Sequence, residues 1–219
     1  MHFAREGYLR IFGLGILCLV LNLLGFTKLG FVFLLLTFFI AYFFRDPDRV
    51  APEDDRYLIA PADGRVVTIE QNVSNDHWLT APATRVGIFM SPLDVHVNRL
   101  PASGVVESVR YQAGKFRPAF AEDASQVNEQ NGVTIQDARG RRVVFVQVAG
   151  ILARRIVCSL KGGERVRQGE RYGMIMLGSR VDLYCPVEAQ IKIRVGQAVK
   201  AGETIIAEYA ERTSNASPP

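Results

Sequence analysis

The chain changes character at about Arg45. From Tyr8 to Phe44 nearly every position is apolar; after that, short apolar runs alternate with Gly, Pro and Asn. Within the apolar part, Leu9–Phe26 and Leu29–Phe44 are separated only by Thr27–Lys28, a spacing that predicts two helices joined by a tight turn. Each run is a little short of the roughly 20 residues that span a ~30 Å hydrocarbon core. The pair therefore reads as a transmembrane or a re-entrant helical hairpin. No small-x-small cleavage site follows the first run before the second begins, which argues against a signal peptide. Arg5 and Arg10 precede the pair, Arg45 and Arg49 follow it, and Lys28 sits alone at the tip. That charge pattern predicts both ends, and everything after them, on the cytoplasmic side of a cell membrane.

Beyond Arg45 the apolar runs are short and rich in Val, Ile and Phe. Arg65–Ile69, Arg85–Phe89, Val105–Arg110, Gly132–Gln136, Val143–Val148, Arg154–Ser159 and Gln190–Val195 read as β-strands, at the spacing of a barrel or sandwich. No long stretch keeps a 3.6-residue period, so little helix is expected here. Phe116–Glu129 is polar and predicts a loop.

Two internal echoes sharpen this reading. Gly163-Glu-Arg-Val-Arg-Gln-Gly169 recurs as Gly196-Gln-Ala-Val-Lys-Ala-Gly202, and Pro61-Ala-Asp-Gly64-Arg-Val resembles Pro101-Ala-Ser-Gly104-Val-Val. Each block predicts a tight glycine turn feeding a strand. The pattern resembles the half-unit of lipoyl/biotinyl-type hammerhead domains, two of which make a barrel-sandwich. The expected fold is thus mainly β, a hammerhead-like barrel-sandwich preceded by the helical hairpin.

Composition narrows the function classes. With 48% hydrophobic and 22% charged residues the chain is globular on average, and its net charge is +4. Beside a membrane segment, a basic balance means attraction to anionic headgroups. No aromatic-and-basic pattern or helix-turn-helix points to nucleic acid. Cys18, Cys158 and Cys185 are scattered, which excludes a disulfide framework and suits a reducing compartment. His2, His77 and His96 share no ligand-like spacing, so no metal site is expected.

Four islands remain: Phe43-Phe-Arg-Asp-Pro47, Pro61-Ala-Asp-Gly64, Phe89-Met-Ser-Pro-Leu-Asp-Val-His-Val-Asn-Arg-Leu-Pro101 and Met176-Leu-Gly-Ser-Arg-Val-Asp182. Together, in this order, they resemble the short, single-domain form of the phosphatidylserine decarboxylase proenzymes, from the apolar N-terminus to about Ala207. The resemblance implies autocatalytic serinolysis at Gly178-Ser179. The Ser179 hydroxyl attacks the Gly178 carbonyl, the resulting ester eliminates, and hydrolysis leaves a pyruvoyl cofactor in place of Ser179. That group would form a Schiff base with the amine of phosphatidylserine, draw off the electrons released with CO2 and leave phosphatidylethanolamine.

The resemblance also implies roles for side chains. His96 is preferred to His77 as the catalytic base, because His77 lies in a polar stretch that reads as a surface turn. Asp63 would orient His96, giving an Asp–His–Ser arrangement. Arg99 and Arg180 are candidate partners for the phosphodiester and carboxylate of the substrate, or else β-edge charges. Better-known long-form relatives carry a second histidine where this chain has Arg99, which implies either that one histidine serves both self-cleavage and the lipid reaction or that Arg99 has another task.

The organisation that follows is a membrane hairpin over residues 1–46, a catalytic domain over 47–210 and a disordered tail over 211–219. Cleavage would make a heterodimer of the chain's own pieces, 1–178 and 179–219, with homo-oligomers left open. A membrane phospholipid is the expected partner, and nucleic acid is not. The rival is a membrane-anchored lipoyl-like adaptor without catalysis, which leaves the Asp63, His96 and Gly178-Ser179 islands unexplained. No modifiable Lys lies between Gly173 and Gln190, so a true biotin or lipoyl carrier is excluded. A serine hydrolase is not favoured either, because the chain has no G-x-S-x-G elbow.

Overall fold

The apolar N-terminal runs form α1 (Tyr8–Leu23) and α2 (Thr27–Phe43), a helical pair as the pattern predicts. The computed structural model describes residues 2–74, 77–119, 127–150, 155–176 and 178–210. The turn between the helices lies earlier than Thr27–Lys28, which belong to the first turn of α2. Gly25 takes φ +84°, its N–H donates to the Asn22 carbonyl, and the Phe26 N–H reaches back to Leu21. This is the Schellman arrangement, and a glycine is what makes its left-handed residue inexpensive. The helices touch closely where Gly30 faces Asn22, since a Cβ at Gly30 would strike the Asn22 amide. Arg5–Leu23 is long and apolar enough to cross a membrane by length and composition, with mean hydropathy 1.5; α2, at 17 residues, is shorter.

The two ends of the hairpin are closed by a small sheet. β1 (His2–Phe3) pairs antiparallel with β2 (Arg45–Asp46), and the Ala4 N–H donates to the Phe44 carbonyl at 2.7 Å. A Cβ at Gly7 would collide with the Phe44 side chain. The chain on both sides of the hairpin is thereby held to one place on the rest of the protein.

The remainder is mainly β, as expected. The strands are β3 (Tyr57–Ile59), β4 (Gly64–Val73), β5 (Ala83–Met90), β6 (Val97–Arg99), β7 (Gly104–Gln112), β8 (Gln130–Gln136) and β9 (Arg142–Val148). They continue with β10 (Ile156–Cys158), β11 (Arg165–Val166), β12 (Arg171–Ile175), β13 (Ser179–Pro186), β14 (Ala189–Ile191), β15 (Ala198–Val199) and β16 (Ile205–Tyr209). Eight of them make one curled antiparallel sheet in the order β11-β7-β8-β9-β13-β5-β4-β15. Two three-stranded sheets, β10-β12-β6 and β14-β16-β3, complete the fold. β13 runs down the middle of the large sheet between β9 and β5, buried along its length until Pro186.

The internal echoes of the sequence are echoes of structure. Gly163, Gly169, Gly196 and Gly202 all have φ between +78° and +87°. In one copy β11 pairs with the start of β7, matching Arg165 with Val105 and Val166 with Gly104. In the other, β15 pairs with the start of β4, matching Ala198 with Arg65 and Val199 with Gly64. The closing bonds repeat as well: Gly163 N–H to Val106 O and Gly169 N–H to Leu100 O, against Gly196 N–H to Val66 O and Gly202 N–H to Ala60 O.

Some expectations needed adjustment. Of the Gln190–Val195 region only Gln190 and Ile191 are in a strand, the end of β14. His96 lies just before β6. Residues 120–126 of the expected loop, and the tail 211–219, lie outside the described residues.

The main core includes Leu58, Val86, Ile88, Phe145, Tyr172, Leu183 and Ile206. Each large apolar side chain fully removed from water contributes on the order of 1.5–3 kcal/mol. A separate cluster under the hairpin joins Ala4, Phe43 and Phe44 to Val95, Val97 and Met174, with Met176 packed against it.

Candidate active site

Ser179 opens β13 opposite Met90 of β5 and is fully buried. Its hydroxyl oxygen has no hydrogen-bond partner. A buried hydroxyl left unpaired costs about 1–3 kcal/mol, and such groups are rare in a well-packed interior. Immediately before it, Gly178 takes φ +66°, a left-handed conformation that costs a residue with a Cβ roughly 1–2 kcal/mol. The Gly178 carbonyl oxygen is approached so closely by Gly150 that a Cβ there would collide with it. The bond joining these two residues is therefore shaped on both sides by glycine.

His96 is also fully buried. Its Nδ1 is 2.9 Å from the Asp94 carbonyl oxygen, which can only accept, so Nδ1 carries the proton and Nε2 presents a lone pair. Nε2 has no hydrogen-bond partner. Burial pushes the imidazole pKa down to about 4, against an opposing pull from the Asp94 carbonyl, so the ring is neutral near pH 7. The ring lies against Phe43, with centroids 4.3 Å apart. Phe43 belongs to the cluster that Met176 joins two residues before Gly178, so the histidine and the approach to the Gly178-Ser179 bond share one apolar wall. His77, by contrast, is in an exposed turn beside Trp78, as expected.

The expected Asp–His–Ser arrangement is not the one formed. Asp63 is buried, but its carboxylate accepts from Arg49 at 2.8 Å and from the Ala201 N–H at 2.8 Å. Burial raises its pKa despite these donors. His96 is instead oriented by the backbone of Asp94, whose side chain closes its own loop by accepting from the N–H and hydroxyl of Ser91. A Ser-x-x-Asp pair is a recognisable loop-closing pattern, so this much was visible in the sequence.

Arg99 and Arg180 are also committed within the protein rather than presented to a ligand. Arg99 donates to Asp46, Pro47 O and Gly169 O. Arg180 is 2% exposed and ion-paired with Asp182 at 2.8 Å, with a further bond to Ala119 O. Both serve architecture: Arg99 ties the chain after the hairpin to the β6 region, and Arg180 neutralises a carboxylate inside the sheet.

A line of buried amides runs behind the site. Asn98 Nδ2 approaches the Met90 sulfur, Gln147 donates to Asn98, and Asn131 donates to Gln147. It links the residue opposite Ser179 to β6, which follows directly from His96. Nothing in the local sequence signals this line, because its members lie on separate strands.

Residues 36–207 match the family model described as phosphatidylserine decarboxylase. The chain belongs to the phosphatidylserine decarboxylase family. It is 42% identical over 205 residues to a phosphatidylserine decarboxylase proenzyme of Desulfotalea psychrophila, covering 94% of this chain and 95% of the relative. It is similarly 43% identical over 208 residues to that of Geobacter metallireducens, covering 93% and 94%. The proenzyme of Geotalea uraniireducens is 42% identical over 203 residues, covering 93% and 94%. The phosphatidylserine decarboxylase family is one of carboxy-lyases, and this chain is an enzyme of that class. Gly178, Ser179, His96 and Asp63 all fall inside the matched segment.

Proposed function

We propose that this chain cuts itself between Gly178 and Ser179 and then decarboxylates phosphatidylserine to phosphatidylethanolamine with a pyruvoyl group derived from Ser179. The observation that carries the reading is the buried, unpartnered Ser179 hydroxyl placed after a left-handed Gly178. A left-handed glycine with no Cβ to hinder attack, followed by an unsatisfied nucleophile, suits an N-to-O acyl shift in which the hydroxyl gains a bond.

His96 Nε2 takes the proton from Ser179 Oγ as it attacks and passes it to the departing nitrogen. A base with a pKa of about 4 is weak, but here it is a shuttle and not a sink, because the same proton leaves again. Elimination of the ester frees the Gly178 carboxylate, and hydrolysis with loss of ammonia completes maturation. The pyruvoyl group then supplies an electron sink next to the substrate amine. His96 accepts a proton from the substrate ammonium and can return it to the carbon that has lost CO2. The Phe43, Val95, Val97 and Met174 cluster keeps water away, and a low-polarity surrounding favours loss of a carboxylate charge as neutral CO2.

The same reading assigns the hairpin, residues 1–46, to the membrane, with the catalytic part, 47–210, on its cytoplasmic face. The exposed apolar surfaces of α1 and α2 support membrane contact. The repeated glycine-turn pairs support a hammerhead-like barrel-sandwich for the catalytic part.

Intact mass spectrometry of the denatured, purified protein tests the proposal. Two chains, 1–178 and 179–219, with the smaller lighter by one ammonia than a serine-started peptide, are expected. A single 24.3 kDa chain in a preparation active on phosphatidylserine would overturn it.

A further inference from the structure

Around the site, Arg49 holds Asp63 and Glu203, Arg99 holds Asp46, Arg171 holds Glu6 and Asp46, and Arg180 holds Asp182. Arg45 differs. Among the described residues no carboxylate lies within ion-pairing distance of it; it donates to two carbonyl oxygens, Tyr42 O at 2.8 Å and Leu93 O at 2.6 Å. Its guanidinium also lies over the Tyr42 ring at 3.8 Å. Two carbonyls and a ring face fix the group in place while leaving three of its five N–H donors free. The ordering cost of a long side chain is thus already met before any ligand arrives.

The position matters as much as the free donors. Arg45 follows directly on the apolar α2 and bridges it to Leu93, the neighbour of Asp94, whose carbonyl orients His96. Its positive field reaches both His96 and Asp63. A lipid entering from the hairpin side meets this cation where apolar surface ends and the buried histidine begins.

We propose that Arg45 is the subsite for the phosphodiester of the lipid substrate, an assignment that rests on the decarboxylase reading above. The substrate carries two anions, and the chemistry selects between them. The carboxylate loses its charge as CO2 departs, so a cation on it would stabilise the bound substrate more than the transition state and slow the reaction. The phosphodiester keeps its charge throughout, and a fixed guanidinium fork there anchors the headgroup at no cost to the chemical step.

The test compares a water-soluble, short-chain phosphatidylserine with its O-methyl phosphotriester, so that binding to vesicles does not enter. The proteins are mature wild type, Arg45→Gln and Arg10→Gln. Arg10 also lacks a carboxylate among the described residues, donating to Glu6 O and lying over Phe44, so it controls for general charge at the hairpin base. In the wild type the triester should have a KM higher by on the order of tenfold or more. Arg45→Gln should raise the diester KM by a similar factor, leave the triester KM and kcat near the wild-type values and leave chain cleavage intact. Arg10→Gln should keep the wild-type KM for both lipids. Equal diester and triester KM values in the wild type overturn the assignment, as does an Arg45→Gln enzyme that loses both lipids equally.

If Arg45→Gln does not mature, Arg45→Lys replaces it, with a point charge on a flexible stem in place of the fixed fork. It should mature and show a smaller ratio of triester KM to diester KM than wild type; an unchanged ratio overturns the assignment. A cleaved wild type inert towards both lipids would instead overturn the decarboxylase reading itself, and the Arg45 assignment with it.

Discussion

The Phe43 ring lies 4.3 Å from the His96 imidazole, centroid to centroid, tilted by 39°. One residue ends the apolar hairpin and the other is the only buried histidine among the described residues, so the contact makes the hairpin part of the wall around that histidine. Removing the ring lets water reach the imidazole. Phe43→Ala should cost about 3–5 kcal/mol through the cavity it leaves. It should also move the His96 pKa up from about 4 toward the ordinary 6.5, because desolvation is the main cause of the depression. Phe43→Leu should keep most of the stability and most of the shift. The pH profile of kcat/KM on phosphatidylserine for the two variants checks this; a Phe43→Ala profile identical to wild type would refute the role given to the ring.

His96 makes a second expectation about pH. Its folded pKa of about 4 lies below its unfolded value of 6.5, so its contribution to stability is full above pH 6.5. It is lost as pH falls from 6.5 toward 4, where the unfolded chain binds a proton that the folded one refuses. The loss amounts to roughly 3 kcal/mol across that window. Asp63 works in the opposite sense, since its raised pKa means that the folded state takes up a proton first on acidification. Thermal melts of the uncleaved Ser179→Ala chain from pH 7.5 to 4 should therefore fall steeply, and the Ser179→Ala/His96→Asn chain should show a flatter acid limb. Equal slopes in the two chains would mean that the histidine is not desolvated as described.

How much of this could be read from the sequence depends on how local each feature is. The two helices, most of the strands and the paired glycine turns at Gly163/Gly169 and Gly196/Gly202 rest on periodicity and on residues close in the chain, and they stand as expected. The hairpin turn was placed at Thr27–Lys28 because polarity was weighed above the conformational freedom of Gly25. The partnerships of the site were illegible for a different reason. Arg49 with Asp63, Asp46 with Arg99 and Phe43 with His96 are made by chain segments that meet only after the sheets close. The family resemblance brought Asp63 and His96 to notice as a pair, but it carried no information on which charge each would meet first.

Asp63→Asn separates the two accounts of that carboxylate. In a triad it would orient His96, and its loss would strongly slow catalysis and shift the pH profile. In the structure it joins Arg49 to the Ala201 N–H, and an amide keeps the acceptor for Ala201 while losing the charge opposite Arg49. The expected outcome is a loss of about 1–3 kcal/mol in stability, from a buried Arg that keeps Glu203 but loses the nearer of its two anions. The pH profile of kcat/KM should stay within a few tenths of a pH unit of wild type. A displaced acid limb would restore the triad.

The two glycines at the Gly178-Ser179 bond should fail differently when a methyl group is added. At Gly178 a Cβ meets open space, so Gly178→Ala pays only for φ +66°, about 1–2 kcal/mol. Part of that strain is released when the bond breaks, so the variant should lose stability as the intact chain but still separate promptly into two chains. At Gly150 the added Cβ would collide with the Gly178 carbonyl oxygen, the group that Ser179 must attack. Backbone on both sides leaves nothing flexible to give way, and the carbonyl must move from its place relative to the Ser179 hydroxyl. Displacement on the order of 1 Å at a reacting centre can cost about a hundredfold in rate. Gly150→Ala is therefore expected to accumulate as the intact chain while keeping a cooperative melt, read by denaturing gels over time after translation. Prompt cleavage of Gly150→Ala, with Gly178→Ala arrested, would reverse the roles assigned to the two positions.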